Sequence, residues 1–164
     1  MTPDRPKLND HFSGLPAAPG AYALLIRLDA PLTIRAGRLG AVGLAAGHYV
    51  YTGSARGPGG LRARVGRHLR AADRTPHWHI DALTAVALVA EVWWVETGER
   101  LECAWAAALL ALPGTAVPAR GFGASDCGCV AHLLRVADPS AARAALEAPG
   151  ALNQGFGDRL ARSR

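Results

Sequence analysis

The chain has 164 residues, half of them apolar, which is enough for one self-sufficient hydrophobic core and short for two. Its formal charge is +5 and its pI about 9.7, and because Lys7 is the only lysine, arginine supplies nearly all of the positive field. The longest apolar run, Ala82 to Ala90, falls short of the roughly 20 residues that a membrane-spanning helix needs.

A basic balance favours polyanionic partners, since each phosphate contact releases counterions, although arginine-, alanine- and glycine-rich usage also follows from GC-rich coding. Three cysteines are an odd number, and no apolar stretch of signal type follows the first charges, so a reduced, cytoplasmic protein is expected.

The stretch Ala21 to Leu28 is apolar and bounded by turns, and it reads as a strand. The glycine-broken LTIRAGRLGAVGL after it reads as a hairpin, and GHYVYTG (Gly47 to Gly53) as the next strand of an antiparallel meander. In LRARVGRHLRAAD, Leu61, Val65 and Leu69 recur every four residues with arginines between them. That spacing predicts a helix with one buried stripe and puts Arg64 at the edge of the stripe. PHWHIDALTAVA turns helical after its proline, Leu88 to Glu96 is another strand, and Gly98 to Leu112 is a helix ended by Pro113-Gly114. A glycine-rich loop, Arg120 to Cys129, leads into an edge strand in VAHLLRV, and DPSAARAALEA closes as a helix capped by Asp138 with Pro139 at its first position. The first and last dozen residues read as loose ends.

These elements predict one α+β domain over residues 1–164, built on a small mixed, mainly antiparallel central sheet flanked by helices. The core spans about residues 18–137, with a C-terminal helix and tail over 138–164.

Cleaving a phosphodiester needs a positioned water, charge to stabilise the crowded phosphorus oxygens, and a metal or acid for the leaving oxygen. A tyrosine hydroxyl orients or deprotonates water, a guanidinium forks onto phosphate oxygens, and a carboxylate holds a hard cation. Candidates for all three stand on separate elements.

The ordered residues resemble the GIY-YIG nuclease superfamily. Gly20-Ala21-Tyr22 looks like the first half of its signature and Tyr51-Thr52-Gly53 like the second. In GLRARVGRH, Gly-Leu-x-x-Arg is similar to the helix bearing the family's essential arginine, which falls on Arg64, with His68 one turn further along. Glu102 in RLECAWAA resembles the metal-binding glutamate of the following helix. Together with HWHIDAL and GFGASDCGCVAHLL, these strings look like a compact, uncharacterised branch of the superfamily, a domain of unknown function found in archaea and bacteria.

The resemblance implies a metal-dependent DNA endonuclease in the cytoplasm that uses Mg2+ or Mn2+. Tyr22, Tyr51, Arg64, His68 and Glu102 would be catalytic, with Glu102 holding the metal. Tyr49, Ser54, Arg62, Arg67 and Arg70 would contact nucleic acid, as would His77, Trp78 and His79. Two departures stand out. The interval between Tyr22 and Tyr51 is longer than usual, which calls for an inserted hairpin and makes Tyr49 a rival for one tyrosine role. The family core carries an asparagine a few turns after the glutamate, whereas the only asparagines here are Asn9 and Asn153, with Ser125 or Asp126 as substitutes. The departures leave open a nucleic-acid-binding module of the same fold without turnover.

Each residue also has a plainer reading. A row of arginines on one helix is usually a solvated face, and Glu102 in an apolar helix calls for a partner, either a divalent cation or an arginine. His77 and His79 with Asp81 could bind a metal, contact phosphates, or cap the helix and pack, but two histidines two apart point to different sides of a helix, which disfavours a shared ion. Cys103, Cys127, Cys129 and His132 compose a Cys3His set able to hold structural zinc, as in a zinc-stabilised interaction domain, although Cys-x-Cys is tighter than the common spacing and Cys103 comes from another element. Buried free thiols beside a glycine-rich loop are the alternative.

Overall fold

The most apolar segment, Gly20–Leu28 (β1), is the central strand of the sheet in the computed structural model, which describes residues 14–147 and 153–156. Its near-continuous burial explains why it reads as an apolar run instead of an alternating one. The strand pairs antiparallel with Gly47–Ala55 (β4) on one side and with Leu88–Glu96 (β5) on the other. Leu133–Val136 (β6) lies outside β4 and Asn153–Phe156 (β7) outside β5. The order is therefore β6-β4-β1-β5-β7, with every ladder antiparallel, and the α+β class is the one the residues predict.

The hairpin Leu32–Arg35 (β2) and Ala41–Leu44 (β3) forms a two-stranded sheet of its own. The expected meander is thus not formed: β4 pairs with β1, and the inserted hairpin stands aside while Ile34, Val42 and Leu44 anchor it in the core. The second difference is β7. Residues 153–156 belong to the stretch read as a loose end, yet they pair with Glu91–Trp94 along the outer edge of β5. NQGF lacks the alternating pattern of a strand, and pairing satisfies backbone groups that an open sheet edge leaves bare. The remaining tail readings, for residues 1–13 and 157–164, lie outside the described residues.

Gly60–Leu69 (α1) packs through Leu61, Val65 and Leu69, all buried as the four-residue spacing predicts. Each such side chain contributes roughly 1.5–3 kcal/mol by leaving water. His79–Thr84 (α2) is a short helix beside it, and Glu102–Leu110 (α3) and Pro139–Glu147 (α4) complete the set. The Asp138 carboxylate accepts the Ser140 amide at 2.9 Å, the cap read from DPSAARAALEA. Strand alternation sends Tyr51 of β4 towards α1, where its ring meets His68, and sends Thr52 and Ser54 towards α3, where both bond to Glu102. The sheet is thereby sandwiched, α1 and α2 on one face and α3 and α4 on the other. Ladder pairing of β6 with β4 ends at Tyr51, the Thr52 amide still bonds to the His132 carbonyl at 3.0 Å, and Gly53 and Ser54 beyond it border a pocket.

Candidate active site

The two tyrosine motifs meet because β1 and β4 are neighbours in a register that sets Tyr22 opposite Gly53. A Cβ at residue 53 would lie 2.5 Å from both Cζ and Oη of Tyr22. The glycine of Tyr-x-Gly is therefore the space that the other tyrosine fills. Tyr51, two residues earlier on the same face, sets its ring 6.5 Å from that of Tyr22.

Behind Tyr22 lies a buried hydrogen-bonded chain. Tyr22 Oη is 2.7 Å from His68 Nε2, and His68 Nδ1 is 2.8 Å from Asp81 Oδ1. The other oxygen of Asp81 accepts the backbone amides of His77 and Trp78, each at 3.0 Å, which fixes the start of α2. Burial works to raise the Asp81 carboxyl, but the bonds from His68 and from these amides outweigh it and hold the group below its ordinary value. Burial likewise pushes His68 down, against the pull of Asp81. The pair thus stands as a carboxylate and a neutral imidazole at neutral pH. Nδ1 donates to Asp81, so the bare Nε2 accepts from the Tyr22 hydroxyl. Burial raises Tyr22 far above the usual tyrosine value and raises Tyr51 as well, while the Arg64 guanidinium pulls both down. Both hydroxyls are protonated donors until a base takes the proton.

Arg64 and Arg67, one turn apart on α1, lay their guanidinium groups over the Trp78 ring at 4.4 and 5.0 Å from its centroid. Stacking of this kind is worth roughly 0.5–2 kcal/mol and holds the charge in place. Across the pocket, at the start of α3, the Glu102 carboxylate accepts a hydrogen bond from the Ser54 hydroxyl. That hydroxyl is a partner within the chain for the carboxylate of this otherwise apolar helix.

Tyr22, Tyr51, Arg64 and Glu102 border one pocket of about 380 Å³, joined by Ser54, His77, Trp78 and His79. Arg56 and Arg100, two loop arginines that sequence reasoning missed, border it as well. Other predicted contacts lie elsewhere: Tyr49 is fully buried, donating to the Ala45 carbonyl at 2.7 Å, Arg62 donates to the Leu15 carbonyl at 3.0 Å, and Arg70 is exposed at the end of α1. His79 is engaged by the loop over residues 120–132, its Nδ1 accepting the Gly123 amide at 3.0 Å. Of the readings open for Asp81, the helix cap is the one formed, but its bond to His68 was not foreseen. It stands at the third position of α2, where it caps the first turn.

Residues 21–152 match the family model of the domain of unknown function DUF123. The chain belongs to this family. No curated protein and no solved structure matches it.

A second cluster in this DUF123 chain borders the same pocket. Cys103 follows Glu102 on α3, Cys127 and Cys129 lie on the 120–132 loop, and His132 precedes β6. Their four donor atoms lie within 4.8 Å of one another, a group able to hold a metal ion. Hydrogen bonding with Cys129, then burial, pushes the Cys103 thiol up to about 12. The loop is pressed against the tyrosines at Gly123, whose φ of +69° favours glycine and where a Cβ would lie 2.7 Å from the Tyr51 ring. Among the described residues, no helix is long and apolar enough to cross a membrane.

Proposed function

We propose that this chain is a metal-dependent DNA endonuclease that hydrolyses phosphodiester bonds in the pocket between α1, α3 and the 120–132 loop. The observation that carries the reading is convergence: Tyr22, Tyr51, Arg64 and Glu102, drawn from four separate elements in the order of the GIY-YIG signature, border one pocket, with His68 bonded behind Tyr22.

Tyr22 takes a proton from a water beside the phosphate while passing its own to His68 Nε2, and Asp81 stabilises the imidazolium that forms. The water oxygen bonds to phosphorus as the bond to the leaving oxygen breaks. Arg64, stacked on Trp78, forks onto the non-bridging oxygens, and the protonated Tyr51 hydroxyl donates to the phosphate. The Glu102 carboxylate and the Ser54 hydroxyl are oxygen donors that fit a hard cation, and the Asp126 carboxylate borders the same pocket. These residues would hold Mg2+ or Mn2+, whose positive charge would stabilise the leaving oxygen. The basic field, with Arg56 and Arg100 at the rim, suits a polyanionic strand.

The test is incubation of the purified chain with supercoiled, branched and single-stranded DNA in Mg2+ or Mn2+. Nicking is expected, and Arg64→Ala abolishes it. Absence of cleavage on every substrate, or unchanged nicking by Arg64→Ala, overturns the reading.

A second reading, a nucleic-acid-binding module without turnover, is favoured by the lack of asparagine between Glu102 and Asn153. It gives salt-dependent DNA binding with no cleavage in any metal.

A further inference from the structure

The Cys103, Cys127, Cys129 and His132 cluster has no part in the hydrolytic steps above, yet it is ordered from two directions. Cys103 Sγ lies 3.9 Å and Cys127 Sγ 3.3 Å from His132 Nε2, and all four donor atoms lie within 4.8 Å of one another. A tetrahedral ion bound by three sulfurs at about 2.3 Å and one nitrogen at about 2.0–2.1 Å separates its ligands by roughly 3.5–3.8 Å. The cluster needs only sub-ångström to ångström adjustments to reach that spacing.

The orientation of His132 is the independent observation. The Thr52 hydroxyl has one proton, which it donates to the Glu102 carbonyl at 3.0 Å. Its oxygen is then left as an acceptor for His132 Nδ1 at 2.9 Å, and the Thr52 carbonyl, an acceptor by nature, lies 3.2 Å from the same nitrogen. Nδ1 therefore carries the proton. Nε2 is left with its lone pair aimed at the sulfurs, on a ring that is 2% exposed and cannot turn away. Metal-binding histidines are oriented in this way, donating through one nitrogen while ligating through the other. Donor softness separates this cluster from Glu102 and Ser54: three sulfurs and an imidazole select Zn2+, whereas carboxylate and hydroxyl oxygens select Mg2+ or Mn2+.

We propose that Cys103, Cys127, Cys129 and His132 form a structural zinc site that pins the 120–132 loop to the first turn of α3. Four protein ligands close the coordination sphere, so the ion does not take part in hydrolysis. The loop needs such a pin. Only Phe122 and Ala124 of its tip are buried and Ser125 to Gly128 are exposed, while the backbone bonds from Gly121 to Val130 and from His132 to Phe122 close its base. Pinned, it keeps Gly123 against Tyr51, and the neighbouring Cys103 steadies Glu102 at the opposite wall. The chain would then hold two kinds of metal, one constructing the pocket and one working in it.

The test reads metal content and needs no nuclease activity, so its failure is distinct from failure of the endonuclease reading. Wild-type chain purified under reducing conditions is expected to carry stoichiometric zinc by elemental analysis. Loaded with Co2+ after zinc removal, it is expected to show the intense visible bands of tetrahedral, thiolate-bound cobalt. Its three thiols are expected to be protected from a thiol reagent until a chelator is added. Cys127→Ser/Cys129→Ser and Cys103→Ser each lose the stoichiometric zinc. Wild-type chain that takes up no zinc when titrated with Zn2+, whose thiols react equally with and without chelator, overturns the proposal, as does a folded double variant that retains zinc.

Discussion

Tyr22 donates its hydroxyl proton to His68 across 2.7 Å between the sheet and α1, 46 residues apart in the chain. The imidazole is in turn held by Asp81 at 2.8 Å, so the chain tyrosine, histidine, carboxylate is assembled before any substrate arrives.

Asp81→Asn keeps the volume of the side chain but gives His68 Nδ1 an unsuitable partner whenever the amide nitrogen faces it. The imidazole is then free to place a proton on Nε2, where Tyr22 needs an acceptor. DNA nicking is expected to fall by about a hundredfold or more, the range in which positioned proton transfer operates. Single-turnover nicking rates of the folded variant, checked by circular dichroism, measure the loss. Nicking within a few-fold of wild type counts against the relay.

The pH dependence has a definite sign. Burial holds the folded His68 below its ordinary value of 6.5, so the folded state disfavours the proton that the unfolded chain accepts. Its contribution to stability is complete above 6.5 and is lost as pH falls below that towards the folded value. Asp81, held below 3.8, adds a second loss at more acid pH, through its folded value. Thermal melts are expected to be flat from pH 7 to 8 with respect to these groups and to fall below pH 6.5, with a shallower fall in His68→Gln. Nicking is expected to rise with pH through the lowered His68 value and then level, because only neutral His68 can take the Tyr22 proton.

Gly53→Ala tests the packing of the two motifs. A methyl group placed 2.5 Å from Tyr22 Oη forces the ring to move, a change in a filled core that costs about 1–3 kcal/mol. Urea denaturation is expected to show that loss, together with impaired nicking as Tyr22 leaves His68. Gly43→Ala, where nothing lies within 4 Å of the added Cβ, serves as the control with little change.

The arginines of α1 divide by their neighbours. Trp78→Ala removes the surface on which Arg64 and Arg67 rest and is expected to weaken DNA binding severalfold, at a cost of roughly 0.5–2 kcal/mol per stack. Arg70→Ala, at an exposed position outside the pocket, is expected to leave nicking nearly unchanged and to shift only the salt dependence of binding. Equilibrium binding at several salt concentrations distinguishes the two variants.

If the Cys3His site holds zinc, a chelator under reducing conditions lowers the melting temperature, and Zn2+ restores it where Mg2+ does not. A ligand present at a hundred times its dissociation constant stabilises the fold by about 2.7 kcal/mol, the scale of the expected loss. Differential scanning calorimetry in the two metals is the measurement.

Much of this protein was legible in the sequence because its signals are local. The spacing of Leu61, Val65 and Leu69 specifies a helix face, the apolar run of β1 a buried strand, and Asp138-Pro139 a helix start, each through neighbours a few residues away. The residues of the ordered motif, Tyr22, Tyr51, Arg64 and Glu102, could be picked out by their kind and order. Which of them meet was decided by strand register and by the parity of side chains along β4. Tyr49 and Tyr51 differ by one pleat on the same face, yet one is sealed in the core against Ala45 and the other borders the pocket. Asp81 acquired its partner only when α2 packed beside α1, and β7 formed because the edge of β5 stood open, a condition that no pattern within NQGF records. The four metal-binding candidates had the right chemistry as a list. Only the docking of the 120–132 loop on α3, with Thr52 turning His132 towards the sulfurs, brought their donor atoms within 4.8 Å of one another, because convergence is a property of three dimensions.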